Sequence, residues 1–195
     1  MLYPMFMKLD KKIVTIIGGG KIAADKIKSL EGTGAILKVV SPDISNEAKE
    51  LMTHLCGSWI PENFRTELIE NSFLVIAATD NPTVNEQVYQ TAKSLNILVN
   101  VVDVNDRCDW FAGSVVRRND FQIAISGNGK GPAYLSYLRK NLEDAIPDDE
   151  ELFLDALSEI RNKMKLLHIS PVERKNWFWD RFAELESTYQ INKGH

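Results

Sequence analysis

The run Ile13-Val14-Thr15-Ile16-Ile17 stops abruptly at Gly18-Gly19-Gly20 and gives way to a helical pattern, with Ile22, Ala23, Ile27 and Leu30 at spacings near one helical turn. Nothing else in the chain narrows the fold as much. A β-branched apolar run, a glycine turn and a helix form the unit that cradles the pyrophosphate of a dinucleotide. Gly18 makes the tight turn. Gly20 has no Cβ, so a phosphate can approach the backbone. Ala23, standing where a third glycine is common, still lets helix and strand pack closely. The first N–H groups of such a helix have no internal partners, and the helix dipole favours an anion there.

The pattern repeats along the chain. Ile36–Val40 reads as a second strand, entered through Gly32-Thr33-Gly34, where glycines suit the end of the first helix. Ser41-Pro42-Asp43 follows it. The acid arrives two residues later than is usual, but Asp43 can still take the adenosine ribose 2′-hydroxyl, and no arginine stands nearby in sequence to welcome a 2′-phosphate, which favours NAD over NADP. Ala48, Leu51, Met52 and Leu55 mark a helix with Ser45 as its N-cap. Gly57 to Ile60 is a short edge strand, and Glu67 to Glu70 a single helical turn. Phe73–Ala78 and Ile97–Val102 are continuous apolar runs of the kind buried on both faces of a parallel sheet, separated by a helix over Thr83–Leu95. The polar turn Thr79-Asp80-Asn81-Pro82 and the acid Asp103 fall at carboxyl ends of strands, where open α/β sheets bind ligands. Alternating strands and helices predict a right-handed, doubly wound parallel sheet of the Rossmann type.

After Asp103 the period changes. Ser114–Arg117 and Phe121–Ser126 read as two strands. A second glycine-rich loop, Ser126-Gly127-Asn128-Gly129-Lys130-Gly131-Pro132, leads into a helix with Ala133, Leu135, Leu138 and Leu142 on one stripe. Pro147 to Glu151 marks a break, followed by two amphipathic helices, the second carrying Trp177, Trp179, Phe182, Leu185 and Tyr189 as a packing stripe. These features divide the chain into a dinucleotide-binding domain over 1–113, a small α+β dimerisation and substrate segment over 114–146, and a helical region over 147–195.

Composition excludes several classes. Apolar residues make up 44% of 195, enough for a core, yet no run approaches the ~18 residues of a membrane span. The N-terminal apolar stretch is broken by Lys8, Asp10, Lys11 and Lys12, so no secretory signal is read there and a cytoplasmic location is expected. Cys56 and Cys108 are too few for a disulfide framework, and the three histidines are scattered, so no structural metal is expected. Net charge is −4 but uneven. Arg107 to Lys140 holds six bases against two acids, and the chain from Glu143 onward holds twelve acids against seven bases. A basic middle in an acidic chain points to an anionic ligand and not to nucleic acid, whose binders carry a broad basic face.

Several stretches in order resemble the precorrin-2 dehydrogenase family, the dehydrogenase/ferrochelatase module of sirohaem synthesis in its stand-alone form. They are Tyr3-Pro4-Met5-Phe6, Gly18-Gly19-Gly20-Lys21-Ile22-Ala23 with Lys26, Val39-Val40-Ser41-Pro42, Ala77-Ala78-Thr79-Asp80-Asn81 with Asn85, Val99-Asn100-Val101-Val102-Asp103, and Gln122 to Ser126 with the glycine loop, Leu138 and Arg139. The likeness spans roughly residues 3–145. The chain departs from the family at Trp110 to Ser114 and at Gly127, where the family's loop commonly has a second hydroxyl. The resemblance implies NAD-dependent oxidation of precorrin-2 to sirohydrochlorin, a homodimer paired through its second segment, and in some members insertion of ferrous iron. It places Gly20, Lys21, Ile22, Pro42, Asp43 and Thr79 against NAD and its key aspartate at Asp103.

The chemistry is a hydride removed to the cofactor and a proton removed to a base. Asp103 is the candidate to orient the substrate or take that proton. A polycarboxylate macrocycle calls for basic and polar partners, and Arg117, Lys130 and Arg139 with Ser126 and Asn128 are the candidate substrate-binding residues, joined by Arg118 and Lys140 as available charge. Dehydrogenase activity alone, with a separate chelatase as partner, is the leading reading. A bifunctional enzyme that also inserts iron and a non-catalytic NAD-binding module are the alternatives.

Overall fold

The computed structural model describes residues 2–118, 120–146, 150–166 and 170–189. The chain forms two compact units, residues 1–111 and 112–195.

In the first unit, β1 (Ile13–Ile17), β2 (Ile36–Val40), β3 (Ser58–Ile60), β4 (Leu74–Ala77) and β5 (Leu98–Val101) form one parallel sheet in the order β3-β2-β1-β4-β5. Helices α1 (Lys21–Ser29), α2 (Asn46–His54) and α3 (Pro82–Ser94) connect them. β1 is central, with Ile16 opposite Val39 on one side and Ile76 on the other. Two-sided burial accounts for the unbroken apolar runs. Val14, Ile16, Val39 and Ile76 pack against Ala23, Ala24 and Ile27 of α1 and Ala48 and Met52 of α2. Val40, Val75, Ala77, Val99 and Val101 pack with Val88 and Ala92 of α3 and with Ile69. The sheet is thus covered on both faces, as the alternation predicts. The expected single turn near 67–70 is a 3₁₀ turn at Thr66–Leu68.

Local chemistry sets the helix starts. The Ser45 hydroxyl accepts from the Ala48 N–H at 3.3 Å, and the Asn81 Oδ1 accepts from Thr83 N–H at 2.9 Å with Pro82 at the first helical position. The outer edge of β5 is covered by its own return segment. Asp109 N–H donates to the Val99 carbonyl at 2.9 Å, and the Asp109 carboxylate accepts from Val99 N–H at 3.1 Å. A side chain thereby takes the place of a missing strand, which guards an exposed edge. The same carboxylate accepts from Lys93 Nζ at 2.7 Å, a hydrogen bond that holds the Lys93 pKa above its ordinary value.

One polar pair lies inside the core. Thr15, fully buried on β1, meets the Ser72 hydroxyl at 2.6 Å. Ser72→Ala leaves the Thr15 hydroxyl without that partner and is expected to cost about 1–3 kcal/mol. Adding Thr15→Val is expected to recover most of it. Urea denaturation of the single and double variants checks both, and a double variant no more stable than the single would refute the account.

In the second unit, β6 (Ser114–Arg118) and β7 (Phe121–Ile125) pair antiparallel with Ser114 opposite Ile125, and α4 (Pro132–Ala145) packs on β6. Helices α5 (Glu150–Leu166) and α6 (Pro171–Tyr189) pack together, with the Phe153 ring edge-on to Phe182 at 5.6 Å and Phe182 beside Trp179 at 5.2 Å. The break expected from Pro147 falls partly outside the described residues. Among the described residues no helix is long and apolar enough to cross a membrane.

Candidate cofactor cleft

The chain runs outward from β1 through β2 to β3, then returns to β4 on the other flank of β1 and runs outward to β5. The reversal leaves a switch point between β1 and β4 at the carboxyl edge of the sheet, where such sheets form a crevice. A cleft of about 990 Å³ lies there.

Its floor is the glycine turn. Gly18 has φ +118°, and a Cβ there would stand 2.4 Å from the Ala78 carbonyl oxygen. Gly19 is pressed against the neighbouring turn, since its Cβ would meet the Asp43 carbonyl oxygen at 2.2 Å, and its own carbonyl accepts from Ser45 N–H at 2.8 Å. Gly20 differs from both. Nothing stands within 4 Å of its would-be Cβ, so the space above it is open. Helix α1 begins there with no side-chain cap and no acid in its first turn. Its first backbone bond runs from Ala24 N–H to the Gly20 carbonyl, so the amides of Lys21, Ile22 and Ala23 precede the ladder. Open space, uncapped amides and the basic Lys21 suit a pyrophosphate.

All seven residues expected to hold the cofactor, Gly18, Gly20, Lys21, Ile22, Pro42, Asp43 and Thr79, line this one cleft. Trp59 on β3 donates from its indole N–H to the Ser41 carbonyl at 3.0 Å and so braces the turn that carries Pro42 and Asp43. Thr79 is held by Asn85 of α3. Asn85 Oδ1 accepts from the Thr79 hydroxyl at 2.7 Å and from its N–H at 3.3 Å, and Asn85 Nδ2 donates to the Thr79 carbonyl at 2.9 Å. Thr79 therefore spends its polar atoms on Asn85 of α3. Gly19, Glu62, Asn63 and Phe64 also line the cleft. The last three lie in a connection without periodicity, where sequence reasoning has no signal to use.

Asp103 lies elsewhere, exposed in the turn after β5, with φ +63°. Val102 N–H donates to the Ala77 carbonyl at 3.0 Å, which sets this turn beside the end of β4.

The expected substrate residues are all in the second unit. Arg117 is exposed on β6. Ser126 accepts through Oγ from Asn128 N–H at 3.3 Å, and Asn128 has φ +55°. Lys130 is exposed, and its N–H closes the loop onto the Gly127 carbonyl at 3.1 Å. A Cβ on Gly127 would meet the Lys130 carbonyl oxygen at 2.4 Å, which explains why a hydroxyl residue does not stand there. Arg139 is half-buried on α4 and ion-paired with Glu143.

Residues 5–114 match a family model described as NAD(P)-binding. The chain belongs to this NAD(P)-binding family. The chain is 34% identical over 192 residues to Siroheme synthase of Actinobacillus pleuropneumoniae serotype 3, covering 98% of the chain and 39% of that protein. It is 36% identical over 182 residues to Siroheme synthase of Psychrobacter cryohalolentis, covering 93% of the chain and 35% of that protein. The chain thus spans less than half the length of these relatives. In structure it resembles SirC, a precorrin-2 dehydrogenase, with a TM-score of 0.71 at 22% identity, covering 99% of the chain and 100% of SirC. That likeness extends the fold match of this NAD(P)-binding family member through the second unit.

Within the NAD(P)-binding family, cofactor choice turns on the end of β2. Asp43 and Glu62 line the cleft, and Lys21 is the one basic residue among the described lining residues. Glu62 is ion-paired with Arg65, so an arginine does stand beside this cleft, contrary to the sequence expectation, and the repulsion of a 2′-phosphate rests on the Asp43 carboxylate. NADP is expected to bind at least ~10-fold more weakly than NAD, and Asp43→Ala to narrow the gap. Calorimetric titration of both dinucleotides checks this, and equal affinities would refute it.

Proposed function

We propose that the chain is an NAD-dependent precorrin-2 dehydrogenase that yields sirohydrochlorin, acting in the cytoplasm as a homodimer. The observation that carries this reading is the placement of Asp103. It stands at the end of β5, one strand beyond the β4 end that closes the cleft, on the side away from Asp43. With the adenosine half on the Asp43 side, the reactive half of the dinucleotide extends toward β5. The relatives' name and the fold of SirC support the choice of substrate.

NAD, when bound, accepts the hydride. The glycine turn and the amides opening α1 hold its pyrophosphate, and Asp43 holds a ribose. Asp103 takes the proton that leaves the substrate carbon or orients the macrocycle for its loss. Arg117, Lys130, Ser126 and Asn128 bind substrate carboxylates. Arg139 serves there on giving up its pairing with Glu143. The β6–β7 ribbon has only two strands among the described residues, and such a ribbon gains stability by pairing with more. A second copy supplies that pairing, and light scattering of the purified protein tests it.

The deciding experiment is an anaerobic absorbance assay with enzymatically generated precorrin-2 and NAD, with and without ferrous ion. Sirohydrochlorin formed only with NAD is the expected result. Accelerated iron insertion would add chelatase activity and remove the need for a separate chelatase. NAD binding without turnover would overturn the enzyme reading in favour of a binding module.

A further inference from the structure

The turn that carries Asp103 is held from beneath. Val104 N–H donates to the Val101 carbonyl at 3.2 Å, closing a four-residue turn with Asp103 in its third position. That position has φ +63°, a conformation that most side chains resist and Asp tolerates. Cys108 returns under the turn. Its thiol lies 3.2 Å from the Val101 carbonyl oxygen and 3.3 Å from the Val104 carbonyl oxygen, so it spans both ends of the segment that presents Asp103. The sulfur in turn accepts from Asn100 Nδ2 at 3.3 Å, and the same amide donates to the Trp110 carbonyl at 2.9 Å. Asn100 is a buried polar residue on β5. The chain of contacts therefore runs from the rigid sheet, through an amide and a thiol, to the two carbonyls flanking Asp103.

We propose that Asn100 and Cys108 are positioning residues that fix the Asp103 turn for the dehydrogenation, with the thiol spanning Val101 and Val104 as the contact that sets it. This rests on the reading of Asp103 as the group that acts on substrate. Burial pushes the Cys108 thiol pKa up, so the sulfur keeps its one proton at neutral pH and shares it between the two carbonyls. An S–H···O contact is weak singly. Its effect is on geometry, since the sulfur fills the inner side of the turn and its neighbours are already anchored. Arg107 N–H donates to the Val104 carbonyl at 3.0 Å, and the Arg107 side chain pairs with Glu86 of α3 and lies over the Tyr89 ring, which straps the outer side.

The test compares Cys108→Ala, Cys108→Ser and Asp103→Asn in the full chain. Two readouts are used: amide exchange at Val104 by NMR, and steady-state kinetics with precorrin-2 and NAD well below the melting temperature of each variant. Cys108→Ala is expected to speed Val104 exchange at least about tenfold, and Cys108→Ser to bring it back to within about threefold. Cys108→Ala is expected to lower kcat about tenfold with KM for NAD within about twofold of wild type, a split that general loosening of the cofactor cleft would not produce. Unchanged Val104 exchange in Cys108→Ala overturns the proposal, whatever the activity. So does wild-type kcat in Cys108→Ala while Asp103→Asn loses turnover. Wild-type kcat in Asp103→Asn overturns the catalytic reading of Asp103, and with it the purpose assigned to this hold.

Discussion

Gly18→Ala is expected to destabilise the chain by about 2–6 kcal/mol, whereas Gly20→Ala is expected to change stability by no more than about 1 kcal/mol and yet weaken NAD binding by about 10- to 100-fold. The two glycines are two residues apart and answer to different constraints. At Gly18 a methyl group would meet the backbone just beyond β4: the Ala78 carbonyl oxygen at 2.4 Å, its carbon at 2.8 Å and the Thr79 nitrogen at 3.1 Å. None of these atoms is the free end of a flexible side chain, so the ends of β1 and β4 would have to part. The φ of +118° adds strain that no rearrangement of neighbours removes. Gly20, by contrast, has an ordinary extended backbone at φ −81° and open space around its missing Cβ. A methyl there touches no protein atom. Its cost arises only when a phosphate comes down on the amides of α1. Urea denaturation and calorimetric titration on both variants separate the roles. Undiminished NAD affinity in Gly20→Ala would move the phosphates away from this turn.

The same contrast shows what the sequence discloses and what it hides. The bounds of β1 and β2 are readable residue by residue, because a strand buried on both faces must be apolar throughout and the turns that end it must not be. The cleft-lining residues Gly18, Gly20, Pro42, Asp43 and Thr79 are readable as a set, because the parallel topology brings strand ends to one edge whatever lies between them. Side-chain ties to backbone leave no such mark. Trp59 reaches a carbonyl eighteen positions back, Asn85 locks a threonine six positions back, and Cys108 spans two carbonyls of a turn that precedes it. Neither hydrophobic period distinguishes these residues from their neighbours. Asp109 is a clearer case still: a charged residue that completes a strand edge reads in sequence as part of a polar loop. Thr79 shows the converse. It is identifiable as a cleft residue, but the hydrogen bonds that occupy its hydroxyl depend on Asn85 and appear only in three dimensions.

Replacing Asp103 is expected to separate turnover from folding more sharply than any other change in the chain. Asp103→Asn is expected to lower kcat by at least about 100-fold, the range for loss of a positioned acid or base, while NAD affinity stays within about threefold. The side chain is exposed and lies outside the lining of the cleft proposed for the cofactor. Asp103→Gly carries the argument further. A left-handed conformation costs an L-residue free energy that glycine does not incur. Glycine at this φ of +63° is therefore expected to raise stability by about 0.5–1 kcal/mol while abolishing turnover as fully as asparagine does. A residue kept where a more stabilising one would fit marks a position held for function. Thermal denaturation, NAD titration and the anaerobic precorrin-2 assay on the same three proteins decide the matter. If Asp103→Gly is more stable and inactive, the carboxylate is there for chemistry. If Asp103→Gly is more stable and fully active, the carboxylate is no more than a turn residue, and the proton must leave by another group.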